Sequence, residues 1–371
     1  LDIVRLKSSF AQIARYGDEV PLHFYADLFL RHPETREMFP VSMQAQRRHL
    51  VEALAKVVES VDRLDDLTGF LRDLGRDHRR FGAFAAHYDA VGGSLLSTFA
   101  HFSGAAWTSE LESDWKSAYQ RVASVMLGAA QEDEQQNPPF WTGTVVAQER
   151  RAFDVAVLTV RTEPTLDYLP GQSVAVQSPR RPRLWRYYSM ANAPRADGLV
   201  EFHVRLIDGG EVSMALTDGT VLGDELRLGP PVGTLRLDTA SPRDILMVAG
   251  STGLAPLKAI VEQVEGLHMP QRMHLFFGAR TPHGLYDLPA LEKLASEHPW
   301  LTVIPVVSDD RRFTGETGLL ADVVMRYGDW ARHDAYLAGP TEMVHETAAR
   351  LGAGGLPPDQ IHVEDFGWSE P

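Results

Sequence analysis

The hydrophobic period changes twice along this chain of 371 residues, and that change constrains its architecture more than any single motif. The first 130 or so residues carry apolar stripes at helical spacing. Ile3, Leu6, Phe10 and Ile13 form one, and Leu22, Tyr25 and Phe29 a second. Leu50, Leu54, Val57 and Val58 form a third, and Leu67, Phe70, Leu71, Leu74 and His78 a fourth. Val91, Leu95, Phe99 and Phe102 follow, then Trp115, Tyr119, Val122 and Met126. The acidic, amide-rich stretch from Gln131 to Asn137, closed by Pro138-Pro139, reads as a linker. Beyond it the period becomes two. Strands are expected at Thr144 to Val146, Phe153 to Val160, Ser173 to Val176, Val200 to Leu206 and Glu225 to Leu228, a pattern that suggests a small antiparallel barrel. From Arg243, buried strands alternate with helices: Ile245 to Val248, Met273 to Phe277, Leu301 to Val307 and Ala335 to Ala338. That is a doubly wound parallel sheet. The expectation is a multidomain chain: an all-α domain over 1–134, a linker over 135–141, an antiparallel β-barrel over 142–240 and an α/β doubly wound domain over 241–371.

The chain has no cysteine, which excludes disulfides, Cys-ligated zinc, a Cys nucleophile, thiolate-held haem and Cys-held iron–sulfur clusters. Redox chemistry here is left to an organic cofactor or a histidine-ligated metal. A net charge of -14 argues against nucleic acid or an anionic membrane as the main partner. No apolar run approaches the roughly 18 residues of a membrane span, so stable membrane insertion is not expected. The first residues show no basic-then-apolar signal pattern, which makes the cytoplasm the expected compartment. The chain starts at Leu1 rather than Met, leaving room for further native sequence before it. Oligomeric state is left open.

His78 ends an apolar helix stripe and faces the core. A histidine so placed is more often packed and hydrogen-bonded than a ligand. Its company changes the balance: Phe39 lies in a short-helix corner, and Tyr25 and Gln46 stand on two helices whose apolar faces would enclose the same pocket. The whole chain resembles the flavohaemoglobins, which join a globin to a ferredoxin-reductase-like module. His23-Phe24-Tyr25 is similar to the family's distal tyrosine motif, and Gln46-Arg47 followed by Leu50 to its distal glutamine segment. His78, ten residues before Tyr88 in His87-Tyr88-Asp89-Ala90-Val91-Gly92, matches the proximal histidine and its tyrosine partner. The resemblance implies haem b ligated by His78. Tyr25 and Gln46 would then set a hydroxyl and an amide over dioxygen at the iron. His49 and His87 lie off the place that the resemblance assigns to a ligand.

Two positions depart from the family. Aligned from Trp115, the glutamate of the last globin helix becomes Ala130, and the lysine before the proximal histidine becomes Asp77. The relay behind the proximal ligand is therefore incomplete, unless Glu132 substitutes for the missing carboxylate. A subgroup of actinobacterial flavohaemoglobin-like proteins shares such losses.

Arg186-Tyr187-Tyr188-Ser189 resembles the flavin signature of the reductase family. The resemblance implies Arg186 on the FAD pyrophosphate, Tyr188 over one isoalloxazine face and Ser189 near the flavin N5. Gly209-Gly210-Glu211-Val212-Ser213 would open a short helix toward the pyrophosphate, with Gly209, Gly210, Val212 and Ser213 as contacts. Where the family often has an aromatic, this chain has Ser173. Gly250-Ser251-Thr252-Gly253, followed by Leu254-Ala255-Pro256, is similar to the family's nicotinamide loop. Phe277-Gly278-Ala279-Arg280 looks like the segment that bounds the adenosine half in the family, and Ala338-Gly339-Pro340 matches the family's Cys-Gly-Pro with the cysteine replaced. Glu364-Asp365-Phe366-Gly367 resembles the C-terminal motif whose aromatic, Phe366, covers the flavin.

Together these imply an NAD(P)H-dependent oxidoreductase passing electrons through FAD to haem, with nitric oxide dioxygenation as the expected reaction. Its small-molecule partners would be O2, NO and NAD(P)H. The choice between NADH and NADPH is open. Asp77, Ala130 and Ala338 keep two alternatives alive: a flavohaem reductase with another donor or acceptor, and a gas-binding or redox-sensing protein.

Overall fold

The structure is a computed structural model that describes residues 1–267 and 269–364, without the side chains of residues 64 and 65. Two compact units divide the chain, one built on Leu1–Phe140 and the other on Trp141–Arg181 and the residues from Trp185 onward. No described helix is long and apolar enough to cross a membrane.

The first unit is all helix. Its elements are α1 (Ile3–Ile13), α2 (Glu19–Arg31), α3 (Gln44–Glu59), α4 (Thr68–His78), α5 (Ala85–Ser103) and α6 (Ser109–Glu134), joined by short 3-10 turns. Local chemistry starts two of them: Asp2 accepts from the Arg5 N–H at 3.0 Å, and Thr108 accepts from the Leu111 N–H at 3.2 Å. Leu6, Ile13, Phe24, Leu28, Phe99 and Trp115 fill the main core. Leu67, Leu71, Tyr88 and Met126 form a second cluster between α4, α5 and α6. The α2 stripe differs from expectation. Val20, Phe24 and Leu28 are its buried line, whereas Leu22 is 48 % exposed. The linker expectation also needs correcting, because residues 131–134 are the last turn of α6 and Asp133 there pairs with Arg79.

The second unit starts with an antiparallel sheet of β1 (Trp141–Ala152), β2 (Val155–Glu163), β3 (Ser173–Gln177), β4 (Arg186–Ser189), β5 (Leu199–Arg205) and, after the short helix α7 (Glu211–Met214), β6 (Glu225–Leu228). Strand order is β4-β3-β6-β1-β2-β5. A bridge between Met190 and Phe202, with Ala191 N–H donating to Glu201 O at 2.8 Å, joins the first strand to the last and closes the barrel. Phe153, expected in a strand, sits in the β1–β2 turn and is 91 % exposed.

The chain then alternates β7 (Asp244–Gly250), α8 (Leu254–Leu267), β8 (Met273–Ala279), α9 (Leu288–Glu297), β9 (Leu301–Val307), β10 (Glu316–Thr317), α10 (Leu320–Tyr327), β11 (His333–Ala338), α11 (Thr341–Ala353) and β12 (Ile361–Val363). All neighbours are parallel, in the order β10-β9-β8-β7-β11-β12. The order reverses between β7 and β11, so a crevice opens at their carboxyl ends.

The packing of α4 on α6 sets the place of His78. A Cβ on Gly75 would lie 2.2 Å from the Met126 carbonyl oxygen, so the two helices meet backbone to backbone. Gly75→Val should force α4 away from α6 and cost about 1–3 kcal/mol as overpacking. Thermal unfolding should show the loss, and haem retained per chain should fall with it because His78 is one turn further along the same helix.

Candidate functional site

His78 is the last residue of α4, half-buried, with Nδ1 2.7 Å from the Leu74 carbonyl oxygen. A carbonyl can only accept, so Nδ1 carries the proton and Nε2 keeps its lone pair. Burial also pushes the imidazole pKa below its ordinary value, against the opposing charge of Asp77, and favours the neutral ring. The Tyr88 ring lies 6.4 Å from the His78 ring. Burial pushes the Tyr88 phenol up to about 12, and its hydroxyl finds no hydrogen-bond partner among the described residues. The Tyr119 hydroxyl donates to the Tyr88 backbone carbonyl, a contact that the helical stripe containing Tyr119 did not suggest. Asp77 pairs with Arg80 at 2.6 Å, and Glu132 pairs with Arg72. Ala130 offers no carboxylate.

Elsewhere in the helical unit, Tyr25 is buried against Phe29 and Phe39, at ring separations of 5.8 and 5.5 Å. Burial raises its phenol pKa, so the hydroxyl remains a donor. It donates to the Gln46 backbone carbonyl at 3.2 Å, while the Gln46 side-chain Oε1 is buried without a partner. A buried, unpaired amide oxygen is costly, and a group bound beside it would relieve that cost. The two other histidines hold different places. His87 caps α5 through the Phe84 N–H, 3.3 Å from Nδ1, and His49 lies on α3.

In the barrel, β4 pairs with β3 so that Ser173 faces Ser189 and Val174 faces Tyr188. Tyr187 and Arg186 are half-buried, and an Arg186 Nη1 donates to the carbonyl of its neighbour Trp185 at 3.0 Å. Burial raises the Tyr188 phenol pKa. The Ser189 hydroxyl bonds to Glu364, whose carboxyl is pushed up to about 8 by burial. Phe366 and Gly367 lie outside the described residues. Gly209, at φ +72°, and Gly210 lead into α7, where Val212 is buried. The Ser213 hydroxyl donates to Gly210 O at 3.0 Å and accepts from the Ile207 N–H at 3.2 Å, bracing this turn from inside.

At the carboxyl end of β7, Gly250 leads into a 3-10 turn, Ser251–Gly253, and then α8, with Thr252 half-buried and Pro256 buried. Across the crevice, Gly339 follows β11. A Cβ on Gly253 would lie 2.4 Å from the Ala338 carbonyl group, so the two loops touch through bare backbone. That close approach is what a pyrophosphate needs at a helix N-terminus. Arg280 is exposed just beyond β8.

Three family models match in this order: a globin over 22–126, an oxidoreductase FAD-binding domain over 142–237 and an oxidoreductase NAD-binding domain over 247–349. A flavohemoprotein of Rhizobium meliloti (strain 1021) is 28% identical over 99% of this chain and 97% of its own length. The chain belongs to the flavohaemoglobin family. The solved flavohemoglobin of Malassezia yamatoensis, 18% identical, covers 98% of both chains at a TM-score of 0.82 and has the same fold. The reductase component of a Pseudomonas putida naphthalene 1,2-dioxygenase system, a ferredoxin–NAD(P)+ reductase, is 34% identical over 60% of this chain and 68% of its own.

This flavohaemoglobin therefore uses haem, FAD and a nicotinamide nucleotide, and carries electrons from NAD(P)H through FAD to its globin. The residues present fit those groups. His78 has an Nε2 left as the acceptor nitrogen by its tautomer, Gln46 has an unpaired amide oxygen, and Gly253 meets the backbone of Ala338 and Gly339 directly. Arg186→Ala should weaken FAD retention by removing the one guanidinium on β4. Flavin absorbance after dialysis should drop while the haem band keeps its intensity; equal flavin occupancy would remove Arg186 from the pyrophosphate.

Proposed function

We propose that this flavohaemoglobin oxidises nitric oxide to nitrate with dioxygen, drawing electrons from NAD(P)H in the cytoplasm. Each nitric oxide consumes one dioxygen and one electron, so one hydride serves two turnovers. When bound, haem supplies a ferrous iron for dioxygen and FAD divides the hydride into single electrons. In this reading the globin domain is 1–134, the FAD domain 142–240 and the nicotinamide domain 241–371, with 135–141 between the first two.

The observation that carries the proposal is the Tyr25–Gln46 pair. Phe29 and Phe39 pack against the Tyr25 ring, the Tyr25 hydroxyl is a protonated donor, and the Gln46 amide, whose Oε1 has no partner, would offer its NH2 as a second donor once the amide is turned. Such donors stabilise negative charge far better in a water-poor pocket than in solvent. His78 would hold the iron through Nε2, with Nδ1–H on the Leu74 carbonyl. Arg186, Tyr188, Ser189 and the Gly209–Ser213 turn would seat FAD. Gly250, Ser251, Thr252, Gly253 and Gly339 would seat the nucleotide, with Arg280 beside its adenosine half and Pro256 setting the start of α8. Glu364, its carboxyl pKa raised by burial against the bond that the Ser189 hydroxyl donates to it, would hold a proton beside the flavin.

A second reading has one observation of its own. The Tyr88 hydroxyl lacks an acceptor among the described residues, and the nearby carboxylates of Asp77 and Glu132 are held by arginines. A weaker proximal ligand favours a flavohaem reductase with another donor or acceptor, or a gas sensor. Steady NAD(P)H-driven nitrate formation from nitric oxide by the purified holoprotein decides between them; haem reduction without nitrate would leave only the second.

Three variants test the assignments. His78→Ala should abolish normal haem loading while flavin stays bound, and an unchanged haem spectrum would remove His78 as the ligand. Tyr25→Phe should speed dioxygen release, since a neutral hydrogen bond contributes about 0.5–1.5 kcal/mol and more where charge develops. An off-rate equal to wild type in stopped-flow measurements would take Tyr25 out of the distal role. Ala130→Glu, alone or with Asp77→Lys, should give Tyr88 an acceptor, raise the iron–histidine stretching frequency and speed nitric oxide turnover. A higher stretch without faster turnover would favour the second reading.

A further inference from the structure

Strand β5 alternates in a way that the FAD barrel alone does not explain. Val200, Phe202 and Val204 fill the barrel and are almost fully buried. Glu201, His203 and Arg205 point the other way, and each reaches the nucleotide-binding half. Lys258, one turn into α8, donates to Glu201 at 2.6 Å. His203 joins Glu201 through Nε2 at 2.9 Å and the Tyr286 hydroxyl through Nδ1 at 2.7 Å. Arg205 extends furthest, its Nη1 donating to the Ser251 hydroxyl at 3.1 Å. The Arg205 Nε is meanwhile fixed on Asp154 at 2.9 Å.

Ser251 is where this matters. Its φ is +55°, in the left-handed region that L-residues avoid, and it is one of two non-glycine residues there among those described. It is also the second residue of the Gly250–Gly253 turn. Strain of this kind persists only where surrounding contacts impose it. The Arg205–Ser251 bond is the side-chain contact in a position to do so.

We propose that Arg205, braced by Asp154, is a positioning residue for nicotinamide nucleotide binding: it holds Ser251 in the left-handed conformation and so presets the loop before the nucleotide arrives. The inference rests on the reading of that loop as the nucleotide seat. Glu201 and His203 fix the same strand against α8 and Tyr286, so that Arg205 reaches Ser251 from a rigid base.

The test uses the full chain loaded with haem and FAD. Hydrogen exchange at residues 250–254 is measured without nucleotide, and NAD+ affinity by calorimetry. In Arg205→Ala, exchange should quicken at these amides and NAD+ should bind about fivefold or more weakly, the scale of a left-handed residue's conformational cost. In a Ser251→Gly background the same Arg205→Ala change should alter affinity by less than about twofold, because glycine adopts that φ without strain. Arg205→Lys should restore part of the loop protection. An Arg205→Ala effect of equal size in both backgrounds would overturn the proposal and assign Arg205 to direct contact with the nucleotide phosphates. Unchanged exchange and affinity in Arg205→Ala would also overturn it. Gly253→Val separates the two levels. Intact NAD+ affinity there would sink the loop's role and the proposal with it, whereas weakened binding there beside an indifferent Arg205→Ala would sink the proposal alone.

Discussion

A histidine offers a metal one lone pair only when its other nitrogen carries the proton, and in His78 the Leu74 carbonyl decides which nitrogen that is. The bond spans one helical turn, so it exists only while α4 stays helical to its last residue. The place of α4 depends in turn on Gly75 lying against the Met126 backbone. The next helix is seated the same way: a Cβ on Gly92 of α5 would lie 2.5 Å from the Tyr119 ring, and Tyr119 donates to the Tyr88 carbonyl. Close approach at Gly75 and Gly92, together with the Tyr119–Tyr88 bond, thus sets the surroundings of His78.

The charges around His78 close on one another. Asp77 and Arg80 form a largely buried pair, as do Arg79 and Asp133. Buried pairs of this kind add little net stability but are costly to break. They therefore hold the carboxylates of Asp77 and Asp133 on their arginines, while the Tyr88 hydroxyl has no acceptor among the described residues.

Much of this was legible in the sequence, for a physical reason. Strands buried on both faces read as continuous apolar runs, as β7 and β11 do, and β9 is legible at its full length although Thr302 in it is exposed. β1 was found only in part. It carries register shifts between Val145 and Ala147 and between Arg150 and Ala152, which reset its alternation, and its far end, Gln148-Glu149-Arg150, is polar. Helix α2 misled for a different reason: aromatics lie on both sides of its buried line, so Leu22, Tyr25 and Phe29 looked like a face. The motif residues could be read as strings because glycines and their neighbours act locally. Their partners could not. Ser189 with Glu364, Tyr119 with Tyr88 and Arg205 with Ser251 join positions far apart in sequence, and no local pattern encodes such a pairing.

The replacement at Ala338 belongs to a different kind of departure. What meets Gly253 across the crevice is the peptide group of Ala338, so the close contact of the two loops does not depend on its side chain. That side chain is fully buried with Leu254, Leu257 and Phe277 in the core beneath the sheet's carboxyl edge. A methyl group in place of a thiol keeps the packing and removes a polarisable, weakly hydrogen-bonding atom. The shape of the Gly250–Gly253 loop is therefore separable from the side chain at 338: Gly253 and the left-handed Ser251 govern it.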